Sequence, residues 1–222
     1  MLQTDLSFKT EINLYYDLHV PENAEEPLPL LLAVHGYGAH KRYMMREALA
    51  VAPENFVVAA LQAPYQHFRE TENGYRTGFG WLTDYKSDES IPIHHNFLLE
   101  IVEKLRSENR IDMSKIYLYG FSQACALNFR FAFTYPQLLR GVIGVCGGIP
   151  SDLETNEIYR PLAADVFYLY ANDDEFYPLE KYQAFKEKLK KRLNIFTSKG
   201  YDAKHEITDE MREDMKTWLK GR

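Results

Sequence analysis

Ile116-Tyr117-Leu118-Tyr119-Gly120-Phe121-Ser122-Gln123-Ala124 decides how this chain reads. Its first four residues form a short apolar run, the mark of a strand buried on both faces. A turn follows, with small residues on either side of a serine. Ala124 to Tyr135 then reads as a helix that stops at Pro136, where the proline ring disfavours continuation. A serine between strand and helix in this way matches a nucleophile elbow, G-x-S-x-G, with Ala124 in the last place. The turn is sharp and the helix must return close to the strand, so the residues two positions either side of the serine, Gly120 and Ala124, are small. At a helix N-terminus the serine also meets free N–H groups and the positive end of the helix dipole, which favour developing negative charge.

Working outward, similar apolar runs recur at Leu30 to Val34, Phe56 to Leu61, Val142 to Cys146 and Val166 to Tyr170, with a weaker one at Ile195 to Thr197. Ile12, Leu14, Tyr16 and Leu18 alternate with polar neighbours, a strand period. Helical segments lie between the runs. Arg42 to Ala50 is one. Phe97 to Leu105 places Phe97, Leu98, Ile101, Val102 and Leu105 on one stripe. Tyr182 to Leu193 is Lys-rich, and Thr208 is placed to cap a last helix with Met211, Met215, Trp218 and Leu219 on its apolar side. Strands alternating with helices predict a mostly parallel sheet covered on both faces. Such sheets carry their sites at the carboxyl ends of the strands. Gln62 to Ser90 shows no clear period, and loops of that length are usually functional or disordered.

Composition narrows the field. The chain has 222 residues and a hydrophobic content of 45%, enough to fill a core, so wholesale disorder is excluded. A single domain over residues 1–222 is expected. With 26 Lys+Arg against 32 Asp+Glu the net charge is −6, which argues against a dedicated nucleic-acid partner. No apolar run approaches the ~20 residues of a membrane span, so no stable membrane insertion is expected. Met1-Leu2-Gln3-Thr4-Asp5 has no basic region leading into an apolar stretch, so no signal peptide is read and a cytoplasmic location is expected. Cys125 and Cys146 then read as free thiols rather than a disulfide.

An elbow serine needs a base, and in this arrangement the chain order is serine, acid, histidine. Of the histidines, only His205 follows Ser122. It stands in a loop after the last strand candidate and before the last helix, at the expected end of the sheet. The acid should follow Val166 to Tyr170, in Ala171-Asn172-Asp173-Asp174-Glu175-Phe176-Tyr177-Pro178. Spacing alone does not choose between Asp173 and Asp174. An oxyanion hole needs two backbone N–H groups, one from the residue after the nucleophile and one from an early strand–helix loop. Gln123 supplies the first. His35-Gly36-Tyr37-Gly38-Ala39 follows Leu30 to Val34 and supplies the second through Tyr37, with His35 as a loop-fixing partner.

The other features are weaker. His94-His95 has no third ligand at a useful spacing, so no metal is expected. Cys125 reads as a small buried thiol. Trp81 is either a core plug or a wall of an acyl groove. Tyr37, Phe121, Phe176 and Tyr177 also fall in loops that should ring the serine, and Trp81, Phe121 and Phe176 are the substrate-binding candidates.

Together these residues resemble the phospholipase/carboxylesterase family of α/β-hydrolases, which includes acyl-protein thioesterases. His35-Gly36-Tyr37-Gly38 is similar to that family's early H-G-x-G loop, and Gly120 to Ala124 to its G-F-S-Q-G elbow. Trp81 falls near its Trp-Phe/Tyr patch, and Gly147-Gly148-Ile149-Pro150 resembles its S-G-x-L-P segment. Its acid segment is commonly H-G-x-x-D-x-x-V-P. Aligning Pro178 with that proline puts Asp174 on the acid, although Tyr170-Ala171 replaces the usual His-Gly. The resemblance implies an α/β-hydrolase fold with no large lid and no cofactor. It implies an esterase or thioesterase that forms an acyl-enzyme on Ser122 and acts on a small-molecule or acyl-chain ester. A peptidase or polyester depolymerase, and a non-catalytic binding protein on the same fold, are the alternatives. Monomer and homodimer both stay open.

Overall fold

Seven strands build the central sheet in the order β1 (Tyr16–His19), β3 (Val57–Leu61), β2 (Leu28–Val34), β6 (Ile111–Phe121), β7 (Gly141–Val145), β8 (Asp165–Ala171) and β9 (Phe196–Tyr201). The structure is a computed structural model and describes residues 1–22 and 24–222. β1 runs antiparallel to β3, and the other neighbours are parallel. Strands β3, β2, β7 and β8 are buried on both faces apart from Tyr170, and β6 is buried from Ile116 to Gly120. Side chains alternate between the faces, so each apolar run feeds two cores at once. Leu30, Leu32 and Val34 face the layer of α2 (Ser87–Ser107), α3 (Gln123–Thr134) and α4 (Leu179–Lys190). Leu31 and Ala33 face α1 (Lys41–Val51) and α5 (Asp209–Lys220).

The strand order reverses between β2 and β6. β2 continues to β3 on one side, while β6 continues through β7 and β8 to β9 on the other. Their carboxyl ends are level, with Val34 registered against Gly120. A crevice at such a reversal is where open α/β sheets place their ligands. The loop after β2 and the turn after β6 meet there.

Several boundaries differ from the sequence reading. β1 begins at Tyr16 rather than Ile12, since only Tyr16 to His19 find partners on β3. α2 begins at Ser87, ten residues before its apolar stripe, with Pro92 inside it. α4 starts at Leu179, straight after Pro178. The stretch read as aperiodic folds into an antiparallel hairpin, β4 (Tyr65–Thr71) and β5 (Gly74–Gly80), outside the main sheet. Phe79 bridges to Ala39, so the hairpin is tied to the loop after β2. Thr208 does cap α5, accepting from Met211 N–H at 3.2 Å. No described helix is long and apolar enough to cross a membrane.

Candidate active site

Ser122 joins β6 to α3 with φ 56° and ψ −120°, a backbone conformation that side-chain-bearing residues rarely adopt. Its N–H is held by the Val145 carbonyl at 2.9 Å, and its carbonyl accepts from Cys125 N–H at 3.0 Å. The strained turn is thus fixed from both sides, and Oγ projects into the crevice. Oγ lies 2.8 Å from His205 Nε2, and His205 Nδ1 lies 2.9 Å from Asp174 Oδ2. A carboxylate only accepts, so Nδ1 carries the ring proton and Nε2 offers its lone pair to the Ser122 hydroxyl. The three residues come from three loops at the carboxyl ends of β6, β8 and β9.

Asp174 is 4% exposed and its acceptor sites are filled. Oδ1 accepts from Phe176 N–H and Tyr177 N–H, both at 2.9 Å. Oδ2 accepts from His205 and, at 3.3 Å, from the buried Tyr182 hydroxyl. Asp173 is exposed and its side chain makes no such contacts, although its N–H donates to the Ala203 carbonyl. Glu175 accepts from His205 N–H at 3.3 Å. The structure therefore gathers Ser122, Asp174 and His205 and leaves Asp173 outside.

The loop after β2 lies against the serine. A methyl group at Gly36 would come within 3.0 Å of Ser122 Cβ, so only glycine permits this approach. Gly38 has φ +76°, and its N–H donates to the Phe79 carbonyl at 2.8 Å. Among the described residues nothing takes up the N–H groups of Tyr37 and Gln123. Both remain free to donate to a ligand at the serine.

His35 holds this loop. Nε2 accepts from Ala63 N–H (3.1 Å) and the Gln62 amide (2.9 Å), which leaves Nδ1–H to donate to the Gly36 carbonyl at 2.7 Å. The Gly36 carbonyl and the Tyr37 N–H belong to one peptide plane and point opposite ways. Anchoring the oxygen therefore aims the N–H. Burial lowers the His35 pKa to about 4, against a smaller opposing effect of the Gly36 hydrogen bond. Trp81 is 1% exposed and lies beneath the loop, its indole N–H donating to the His35 carbonyl at 2.8 Å. It is a core support there rather than an open wall. The Gln123 side chain clamps the same segment, accepting from Trp81 N–H and donating to the Leu82 carbonyl, each at 2.9 Å.

Aromatic rings surround His205. Phe121, Phe176 and Tyr177 stand with centroids 4.9, 4.8 and 5.9 Å from the imidazole. Phe176 and Tyr37 are 63% and 56% exposed, so the crevice opens to water. Tyr37 stacks on His67 of the hairpin at 4.5 Å. His94 and His95 pack against Trp81, Phe131 and Tyr135. Among the described residues no group of three His, Cys, Asp or Glu is placed to hold a metal. Cys125 and Cys146 are free, and burial pushes both thiols up, Cys146 to about 12. Neither is a thiolate nucleophile.

The sequence reading missed Tyr182, Gln62, Glu175 and the side-chain role of Gln123. Gln62, Glu175 and the Gln123 side chain act through contacts between segments distant in the chain, and Tyr182 reaches Asp174 from the second turn of the helix after its loop.

The sequence pattern of the phospholipase/carboxylesterase family matches residues 17–221. A putative esterase, NocK, from Nocardia uniformis subsp. tsuyamanensis is 26% identical over 175 residues, 74% of this chain and 46% of that protein. The chain spans less than half the length of the curated relatives it matches. The Bacillus cereus carboxylesterase structure superposes with a TM-score of 0.74 at 18% identity, covering 94% of each chain. Zea mays acyl-protein thioesterase 2 superposes with a TM-score of 0.69 at 13% identity, covering 93% of this chain and 98% of that one. The chain shares the α/β-hydrolase fold with these structures.

Proposed function

The chain belongs to the phospholipase/carboxylesterase family of hydrolases, and from that premise we propose that it cleaves carboxylic esters or thioesters through an acyl-enzyme on Ser122. The observation that carries the proposal is the unbroken hydrogen-bonded line from Ser122 Oγ through His205 to the buried Asp174. Residues 1–222 act in this proposal as one domain.

His205 Nε2 takes the hydroxyl proton as Oγ forms its bond to the carbonyl carbon. The carbonyl π electrons move to oxygen, where the N–H groups of Tyr37 and Gln123 receive the oxyanion. Asp174 keeps the ring in the tautomer that can accept and stabilises the imidazolium. The imidazolium then gives its proton to the leaving oxygen or sulfur, whose bond to carbon breaks. Water repeats the sequence on the acyl-serine, releasing the acid and restoring the Ser122 hydroxyl. Phe121, Phe176 and Tyr177 form the apolar surround of the reacting group. Each buried methylene is worth about 0.8 kcal/mol at most, and the exposed Phe176 lets a long chain run into water. Short to medium acyl groups are therefore the expected substrates.

Fluorophosphonate labelling followed by peptide mass spectrometry tests the nucleophile. A single adduct on the Ser122 peptide, with turnover of p-nitrophenyl esters and thioesters, is the expected result. An active enzyme labelled elsewhere would remove the proposal. An enzyme inert to both probe and esters would favour a binding protein on this fold.

A further inference from the structure

A cavity of about 260 Å³ opens beside the proposed base, walled by Phe121, Ile207, Met44 and Tyr43 together with His205. Glu47 and Arg212 also line it. They neutralise each other, because Arg212 donates to both Glu47 oxygens at 2.7 and 3.0 Å and to Asp209 at 2.6 Å. Between this pair and the exposed Glu206, which also lines the cavity and has no cationic partner among the described residues, the surface is apolar, so the cavity suits an uncharged stem. A second pocket, about 520 Å³, is lined by His40, Arg42, Tyr43, Arg46 and Thr77. Tyr43 is common to both, so the second pocket adjoins the first.

The second pocket is cationic, in a chain whose net charge is −6. Arg42 and Arg46 are exposed and, among the described residues, have no carboxylate partner, whereas neighbouring Lys41 is paired with Asp17. Arg46 lies over the Tyr43 ring at 4.8 Å, which holds its guanidinium at the mouth. Two further arginines stand on the hairpin, outside the residues that line this pocket. Arg69 and Arg76 are registered directly opposite each other, so they share a face, again without a carboxylate partner among the described residues. Like charges in that position repel. Arg69 lies against the loop after β2, with its Cδ 3.3 Å from where a Gly38 methyl would stand. Glu70, registered against Tyr75, belongs to the other face, the one that carries the pocket residue Thr77. Unpaired guanidinium groups gathered in this way suit a carboxylate or phosphate, which they bind through paired N–H groups.

The proposed chemistry says which part of the substrate reaches them. His205 returns its proton to the leaving atom, so the leaving group begins at Nε2, and the cavity that opens there receives it. Resting on that assignment of Ser122 and His205, we propose that the natural leaving alcohol or thiol carries an anion, phosphate or carboxylate, a few bonds beyond the scissile atom. Its apolar stem fills the cavity, and Arg42 and Arg46 bind the anion at the mouth. The substrate class is thus an ester or thioester of an anionic alcohol or thiol.

Matched acetates test this: acetoxybutyl phosphate, acetoxypentanoate, neutral pentyl acetate and cationic acetoxybutyl-trimethylammonium, with acetate release giving kcat/KM. At low salt at least one anionic ester should exceed the neutral one by about tenfold or more, as expected for charge-assisted hydrogen bonds. The cationic ester should fall below it. High salt should compress the ratios. In an Arg42→Ser/Arg46→Ser variant whose thermal midpoint matches wild type, the anionic-to-neutral ratio should approach one. Preference for the phosphate alone, or for both anions, would identify the group that is read. Equal rates for all four esters, or a preference that survives the double variant, would overturn the proposal while leaving the serine mechanism standing. Failure to hydrolyse any of them, together with no fluorophosphonate adduct, would instead remove the mechanism and this proposal with it.

Discussion

The two halves of the sheet contribute unequally. From β6 to β9, each strand that ends at the crevice delivers a residue by regular βα geometry, and Ser122, Asp174 and His205 meet within hydrogen-bonding distance. On the other side of the reversal, the loop after β2 is held by side chains instead: His35, Gln62, Trp81 and Gln123, braced by a hairpin that belongs to no main strand. In the proposed mechanism the first half sets the reacting groups, and the second sets the oxyanion loop and the approach. If that division is right, damage to the first half should remove turnover, and damage to the second should only weaken it.

The largest effect should come from Ser122→Ala. It should lower kcat by on the order of 10⁴ or more, with an unfolding midpoint close to wild type. Retention of a tenth of wild-type esterase activity would break the division at its root.

The acid comes next. Asp174→Asn should lower kcat/KM by about 10³ to 10⁴, because an amide can donate to Nδ1 and stabilise the wrong tautomer. Asp173→Asn should change it by less than about twofold, as expected of a solvated side chain. The reverse ranking would move the acid to Asp173. Tyr182→Phe removes one donor to Asp174 Oδ2 and keeps the ring, so about tenfold or less is expected.

How legible each half was has the same physical origin. Leu30 to Val34 and Val166 to Tyr170 were plain in the sequence because strands buried on both faces demand continuous apolar runs. The elbow was plain because its backbone tolerates few residue types. The hairpin was not, since Tyr65 to Thr71 expose most of their side chains and leave no apolar period. The first turns of α2 hid behind Pro92 and the polar Ser87 to Ser90. Asp174 could be preferred over Asp173 only through family resemblance, because the distinction lies in where Tyr182 and two loop N–H groups point. The clamp by Gln123 and the His35–Gln62 pair depend on segments that meet only after folding.

His35 tests the second half. His35→Asn shortens the side chain that holds the Gly36 carbonyl, so the Tyr37 N–H should lose its aim. Losing one well-aimed oxyanion donor costs about 10² in kcat, and a partial misdirection should cost about tenfold to 10². KM should move little, because the damage appears only when charge develops on the oxygen. A rise in KM with unchanged kcat would make the loop a binding wall instead.

The smallest effect is on stability rather than rate, and it also separates the halves. Burial lowers the pKa of His35 to about 4, His94 to about 3 and His95 to about 4, all from an ordinary 6.5. The charge of His95 adds to the lowering at His94, as does that of Arg130 at His95. The unfolded chain therefore binds more protons than the folded one between pH 6.5 and about 4. Stability should be complete above 6.5 and fall as the pH drops through that window, with each buried histidine contributing to the slope. Carboxylates enter lower down. At Asp152 burial acts upward but is outweighed by hydrogen bonds from Arg130, Asn156 and Tyr159 and by the Arg130 charge, and its pKa falls to about 2. Its contribution is present above 3.8 and is lost only below that. Urea midpoints should thus hold level from pH 7.5 to 6.5 and fall from there to 4.5 in wild type, and fall more gently in His94→Gln/His95→Gln, whose amides do not titrate. An unchanged slope in that variant would mean that α2 accepts protons without cost.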